Sequence, residues 1–140
     1  EYALDTAVKA HERGLFNTMI SNGYTSTDII AHDLKGVIDA ANIDLKAFTE
    51  RFYRKLCSAR LAPVLGAIQA YHDAGVWIEV TTLVIPGEND SDAELRDIAS
   101  FLGSVSPDIP WHISRYYPRY HYDGAPPTPV TTLALSLIHI

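Results

Sequence analysis

Two side chains of opposite charge, Asp44 and Lys46, lie two residues apart in the segment Ile43-Asp44-Leu45-Lys46-Ala47. On an extended strand their Cα atoms would be about 7 Å apart, and both side chains would project from the same face. A carboxylate can hold a ribose diol and an ammonium can hold a carboxylate, so the pair suits a small zwitterionic ligand. A structural ion pair with Glu79 as a third member explains the same residues equally well.

Three further segments could contribute to a binding site. Asn22-Gly23-Tyr24 ends the first predicted strand at its carboxyl end, where β/α barrels place their sites, although Asn-Gly is also an ordinary turn. The segment 84–87 would offer backbone groups and an apolar surface to a flat base, or is simply a buried strand that needs a stop. Around Tyr117, polar aromatic residues form either a site or a barrel rim.

Cys57 lies near Lys55 and Arg60, a setting that could lower its pKa. We interpret it as a packing residue, because free cysteine is usually buried. One cysteine also excludes an internal disulfide and a zinc ribbon.

The elements that must position these residues alternate between helical and extended periodicity. Amphipathic helical segments separate four predicted strands, which are 16–21, 37–47, 76–85 and 111–117. Thr25 or Ser26 can cap the second helix, and Ser91 with Glu94 forms a capping-box signature. Residues 51–60 indicate an amphipathic segment, and everything after Pro118 is predicted to be loop.

This order predicts an α/β fold with parallel strands joined by right-handed crossovers. In the second strand Asn42, Asp44 and Lys46 alternate with apolar residues, and Trp77, Glu79 and Thr81 do so in the third. A doubly wound sheet would favour continuously apolar strands instead. We therefore expect a partial (β/α)6 TIM-like barrel, of which this chain contains about four β/α units, with a polar interior.

Composition narrows the function classes. The net charge is −6, and no Lys/Arg cluster forms a stripe for nucleic acid. No apolar stretch approaches the roughly 20 residues that span a bilayer, and since no basic, apolar, small-residue leader is found we expect no signal peptide. We expect a cytoplasmic protein with neither a nucleic acid nor a membrane partner.

As a set, these motifs resemble the radical S-adenosylmethionine enzymes of the AmmeMemoRadiSam system, relatives of the pyruvate formate-lyase activating enzyme. The resemblance runs from about Glu1 to Pro129. Its motifs are Asn22-Gly23-Tyr24, the segments 42–48, 52–57 and 77–87, and Pro110-Trp111-His112-Ile113-Ser114-Arg115-Tyr116.

The resemblance implies an oxidoreductase that binds a [4Fe-4S] cluster and S-adenosylmethionine. Reductive cleavage of that cofactor would give a 5′-deoxyadenosyl radical for hydrogen abstraction, as in glycyl-radical activases. By position, Asp44 would contact the ribose, Lys46 the methionine carboxylate, and Val84 with nearby backbone the adenine. The full set of expected cofactor-binding residues is Asn22, Asp44, Lys46, Glu79, Thr81, Val84 and Tyr117.

The resemblance also defines what this chain is expected to lack. The Cys-x3-Cys-x2-Cys triad that binds the cluster in this superfamily is not in the sequence, so we expect those ligands upstream and no metal ligands here. The fragment alone should then be inactive. We expect residues 1–130 to be the later part of the barrel domain and 131–140 to be a non-native tail.

Partners and alternatives remain open at this point. Besides the small-molecule cofactor, a protein substrate or the other members of the AmmeMemoRadiSam system are expected partners. One alternative is an unrelated β/α-barrel lyase with Lys46 as a Schiff-base lysine. The other is a non-catalytic binding module, since a fold does not imply a function.

Overall fold

A parallel sheet with helices between its strands is the framework of the chain. The computed structural model describes residues 2–122 and 124–138, of which 135–138 as backbone only. The strands are β1 (Thr18–Ser21), β2 (Ala40–Asp44), β3 (Trp77–Val84) and β4 (Trp111–Arg115), and their order in the sheet is β1-β2-β3-β4. The predicted α/β class with a parallel sheet is confirmed.

In the described part of the chain, six helical segments accompany the strands. Two of them are short and continue as π-helical turns. The helices are α1 (Tyr2–His11), α2 (Thr27–Ile29, then a π-turn Ile30–Leu34), α3 (Glu50–Phe52, then a π-turn Tyr53–Cys57), α4 (Leu61–Asp73), α5 (Asp92–Val105) and α6 (Val130–Ile138). None of the described helices is long and apolar enough to cross a membrane.

The chain divides into two compact units, Glu1–Asp44 with Ala62–Val80 and Leu45–Leu61 with Thr81–Ile140. In the first unit, Asn17 fixes the start of β1. Its backbone N–H donates to the Asp39 carboxylate at 2.6 Å, and its side-chain amide donates to the carbonyls of Ala7 and Val37 at 2.8 Å each. The apolar core of this unit comes from α2, β2, α4 and β3.

In the second unit, two buried polar side chains connect the segment after β2 to other elements. The Thr82 hydroxyl donates to the Leu45 carbonyl at 2.7 Å and accepts the Trp111 indole N–H at 2.9 Å. The Glu94 carboxylate accepts the backbone N–H of Phe48 at 2.8 Å. Since both side chains are buried, these bonds form where water cannot compete.

Helix capping follows the sequence in part. Ser26 caps α2 and Ser91 caps α5, with the Ser91 hydroxyl accepting the Glu94 N–H at 3.2 Å. The other half of the predicted capping box is replaced, because the Glu94 carboxylate accepts from Phe48 and not from Ser91.

Some predicted boundaries were wrong. The second strand is Ala40–Asp44 rather than 37–47. It begins later because Val37 and Ile38 donate their N–H groups to the Leu34 carbonyl and complete a turn, and it ends before Lys46, whose backbone groups bond the Tyr53 and Asn89 side chains. Residues after Pro118 are not all loop. Helix α6 forms at Val130–Ile138, where we had predicted loop. It packs against β4 and α5. The interpretation of 131–140 as a non-native tail stays a prediction, and residues 139–140 lie outside the described residues.

Candidate functional site

The predicted alternation of polar and apolar residues along β2 and β3 is confirmed. Ala41 and Ile43 are buried, whereas Asn42 and Asp44 are half-exposed. Along β3 the buried residues are Ile78, Val80, Thr82 and Val84, and the alternate positions are half-exposed or exposed. Several polar residues of these segments each take part in at least one polar or electrostatic interaction. They are Asp44, Lys46, Glu79 and Thr81.

Asn22 and Asp44 lie beside each other in the first unit. Ser21 pairs with Ile43 in the parallel β1–β2 register, so the next residue of each strand extends the same row. The Asn22 side-chain carbonyl accepts the Tyr24 N–H at 3.0 Å, which closes a turn directly after β1. These two predicted site residues are therefore brought together at the carboxyl ends of β1 and β2.

Glu79 lies closer to the amino ends of the strands. It is the third residue of β3, and its carboxylate accepts the Trp77 indole N–H at 3.5 Å. Together with Asn42 it lines a cavity of about 240 Å³ in the first unit, whose other lining residues are Thr18, Met19, Ile20, Ala40, Ala41 and Trp77.

Lys46 is held through both of its backbone groups in the second unit. Its N–H donates to the Tyr53 hydroxyl at 3.1 Å, and its carbonyl accepts the Asn89 side-chain amide at 2.6 Å. The preceding N–H, from Leu45, still donates to the Thr81 carbonyl at 3.1 Å. Thr81 therefore lies beside the Leu45–Lys46 segment.

Val84 and the end of β4 meet at Thr128. The Thr128 hydroxyl donates to the Val84 carbonyl at 2.6 Å and accepts the Tyr116 N–H at 2.9 Å. Val84 is 0% exposed as a whole residue, so neither its side chain nor its backbone presents accessible surface. Tyr117 is half-exposed, and its hydroxyl accepts from the Arg115 guanidinium at 2.8 Å.

Replacing Thr128 with valine should destabilise the protein by about 1–3 kcal/mol, because an isosteric methyl group leaves the Val84 carbonyl and the Tyr116 N–H without partners. Urea unfolding measures the effect. Thr6→Val is the matched control, since the Thr6 hydroxyl bonds only the Tyr2 carbonyl on an exposed helix and its loss should cost at most about 0.5 kcal/mol. Equal costs for the two variants would contradict the bridging role of Thr128.

Sequence reasoning missed Asn89, Tyr53 and Thr128. Asn89 stood in a Pro-Gly-Glu-Asn-Asp stretch that predicts a turn, and the turn exists, yet Asn89 is 1% exposed and its side chain makes three hydrogen bonds. Glu88 beside it pairs with Lys55 at 2.6 Å, and that ammonium holds the pKa of Glu88 below its ordinary range. A polar residue that stays buried in a turn leaves no periodic signal.

An iron–sulfur cluster does not fit the residues described. Such clusters are held by several cysteine thiolates, and this chain has one cysteine. Burial raises the pKa of the Cys57 thiol, and the Lys46 ammonium offsets this only in part. Among residues 2–122 and 124–138, no group of three or more His, Cys, Asp or Glu side chains could hold a metal ion.

S-adenosylmethionine fits the donor set better. Asp44 in the first unit offers a carboxylate and Lys46 in the second offers an ammonium, and both are half-exposed. Comparison with known proteins supports this cofactor, because residues 1–99 match the family model of the radical SAM superfamily, where SAM is S-adenosylmethionine. The chain belongs to the radical SAM superfamily. Its members generally use S-adenosylmethionine with a [4Fe-4S] cluster.

Two curated relatives add detail to this membership. An uncharacterized protein of Methanocaldococcus jannaschii is 40% identical over 138 residues, which is 97% of this chain and 40% of that protein. The benzylsuccinate synthase activating enzyme of Thauera aromatica is 25% identical over 103 residues, which is 74% of this chain and 31% of that enzyme. The chain thus spans two fifths or less of the length of these relatives.

A solved structure shares the fold of this radical SAM chain. A domain of the pyruvate-formate lyase-activating enzyme from Bacteroides vulgatus superposes with a TM-score of 0.84, covering 99% of this chain and 83% of that one. The sequence identity is 15%, so this likeness concerns the fold alone. It confirms the predicted relation to the partial barrel of the activating enzymes.

Proposed function

We propose that this chain forms the part of a radical SAM enzyme that binds the ribose and the methionine carboxylate of S-adenosylmethionine. The observation that carries the proposal is the alternation of burial along residues 41–47, in which Asp44 and Lys46 are half-exposed while Ile43, Leu45 and Ala47 are buried. S-adenosylmethionine offers a group for each of these charges. Its ribose hydroxyls can donate to a carboxylate, and its methionine carboxylate can pair with an ammonium.

Each residue has a role that follows from its chemistry. The Asp44 carboxylate accepts hydrogen bonds from the ribose hydroxyls, with Asn22 beside it, and the Lys46 ammonium pairs with the methionine carboxylate. Thr81 and Glu79 are half-exposed polar residues of β3, and we propose each as a further polar contact for the cofactor. Backbone groups near Val84, together with Tyr117, receive the adenine.

The cofactor and the cluster supply the redox chemistry of the whole protein. S-adenosylmethionine, when bound, would supply radical chemistry for hydrogen abstraction, with the electron for its reductive cleavage coming from the cluster. The side chains of this chain bind and orient the cofactor, while cysteines outside it would hold the cluster. By analogy with the activating enzymes among its relatives, we propose a glycyl-radical-activase-like reaction on a protein substrate. Methionine release by the full-length, cluster-reconstituted protein under reducing conditions tests the activity.

Replacement of Asp44 by asparagine tests the ribose assignment. S-adenosylhomocysteine and methylthioadenosine both carry the ribose diol, so Asp44→Asn should weaken both about 10-fold, as expected for loss of a hydrogen bond to a charged acceptor. Equilibrium dialysis with the full-length protein measures the two dissociation constants.

Asp28→Asn, at an exposed carboxylate in the first turn of α2, is the matched control and should change neither constant. If Asp44→Asn weakened only S-adenosylhomocysteine, the ribose assignment would be wrong, because methylthioadenosine differs from it in lacking the amino acid portion.

A further inference from the structure

We propose that Asn89 and Tyr53 are positioning residues for Lys46, holding its peptide from both sides so that its ammonium meets the carboxylate of the cofactor. The inference rests on the proposed function of Lys46 and deepens it. Neither residue would touch the cofactor, and each would act through the backbone of Lys46.

Asn89 uses every hydrogen-bonding group of its side chain at this point. Its amide nitrogen donates to the carbonyls of Lys46 at 2.6 Å and Leu83 at 2.9 Å, and its Oδ1 accepts the Ile85 N–H at 2.6 Å. At 1% exposure it has no access to water that could replace these partners. It therefore connects the segment after β2 to the carboxyl end of β3 within the second unit.

Tyr53 holds the other side of the same peptide segment. Its ring is buried at 2% exposure, and its hydroxyl accepts the Lys46 N–H at 3.1 Å. Tyr53 begins the π-turn Tyr53–Cys57, and single π-turns inside helices often occur at functional sites. That turn ends at Ser58, which has a left-handed φ of 50°.

The positioning role is inferred from a difference in backbone hydrogen bonds between Leu45 and Lys46. Leu45 still bonds a backbone carbonyl of the neighbouring strand, but both backbone groups of Lys46 bond side chains. In a regular sheet, the main chain of the neighbouring strand would hold the backbone of a lysine. Here the side chains of Tyr53 and Asn89 hold it instead. A long lysine side chain carries considerable rotamer freedom, so fixing its base lowers the entropy that binding must remove.

The test compares two ligands that differ in the carboxylate. In the full-length, cluster-reconstituted protein, Tyr53→Phe should weaken S-adenosylhomocysteine about 3- to 10-fold, the range for one neutral hydrogen bond, and change methylthioadenosine less than about twofold. Asn89→Asp, which keeps the acceptor for Ile85 but loses both donors, should show the same selectivity with a larger loss.

Matched controls separate positioning from general stability. Asn17→Asp also removes an amide that donates to two carbonyls, and Tyr71→Phe alters another buried tyrosine, on α4. Both controls should reduce the melting temperature or leave it unchanged without any preference between the ligands. Carboxylate-selective weakening in Tyr53→Phe and Asn89→Asp, but not in the controls, supports the proposal.

Two results would overturn the positioning role. The first would leave the proposed function intact, and the second would not. If Lys46→Met is carboxylate-selective but Tyr53→Phe weakens both ligands equally or neither, the positioning role is wrong and the proposed function stands. If Lys46→Met itself lacks selectivity, the assignment of Lys46 fails, and the inference fails with it. Tyr53→Phe keeps its buried ring, so the test does not depend on Asn89→Asp folding.

Discussion

Replacing Lys46 with methionine is expected to weaken the binding of S-adenosylhomocysteine to the full-length protein by about 10- to 100-fold, the range for a hydrogen bond to a charged group. Methionine has a similar length and no charge, so the loss reports the ammonium. Methylthioadenosine lacks the carboxylate, and its dissociation constant should change less than about twofold. Equilibrium dialysis of both ligands makes the comparison.

Lys35→Met is the matched control, because Lys35 is an exposed lysine at the end of the π-turn after α2. It should change neither dissociation constant. A Lys46→Met protein that bound both ligands as the unaltered protein does would remove Lys46 from the cofactor site.

The same variant has a second readout that needs no ligand. Burial raises the pKa of the Cys57 thiol, and the positive charge of Lys46 partly lowers it. Without that charge the pKa should rise further, because nothing from Lys46 then favours the thiolate. Alkylation by iodoacetamide, followed on the Cys57 peptide by mass spectrometry, should shift to higher pH in Lys46→Met. An unchanged dependence of labelling on pH would mean that the ammonium does not act on this thiol.

Replacing Gly23 with alanine should produce the largest loss of stability, about 2–5 kcal/mol in the free energy of unfolding. Gly23 has a φ of 72°, which costs a residue with a Cβ about 1–2 kcal/mol. The new Cβ would also lie 2.8 Å from Val64 Cγ1 and 3.0 Å from Ile43 Cγ2. Both neighbours are 0% exposed, and overpacking of this kind costs about 1–3 kcal/mol more.

Gly75→Ala separates the two contributions to this cost. Gly75 has a similar φ of 79°, but no atom lies within 4 Å of its added Cβ. Its loss should therefore be the backbone part alone, about 1–2 kcal/mol, as measured by the urea midpoint at constant slope. If Gly23→Ala cost no more than Gly75→Ala, the packing around the Asn22 turn would be looser than the structure has it. Because Gly23 follows Asn22, its variant should also weaken ligand binding at that strand end.

Much of the sheet and part of the site could be predicted from local patterns. The period of two along residues 41–47 and along β3 predicted which residues are buried, and it therefore predicted that Asp44 and Lys46 lie outside the core. The Ser26 and Ser91 caps were also predictable, since a capping side chain acts within three residues. The strand start at Ala40 and helix α6 were not, because turn bonds and tertiary contacts override local propensity.

The sequence by itself determined the alternating β/α order, the two charges at alternate positions of the segment 43–47 and, through its motifs, the relation to radical SAM enzymes. Only the tertiary structure decided what holds those charges. Asn89 reaches Lys46 across 43 positions, and Thr128 reaches Val84 across 44. Such bonds depend on where strand ends meet after folding, and a polar residue in a turn carries the same local pattern whether its side chain is solvated or buried. Periodicity therefore predicts which way a side chain faces, whereas its distant partners follow from the packing of the whole fold.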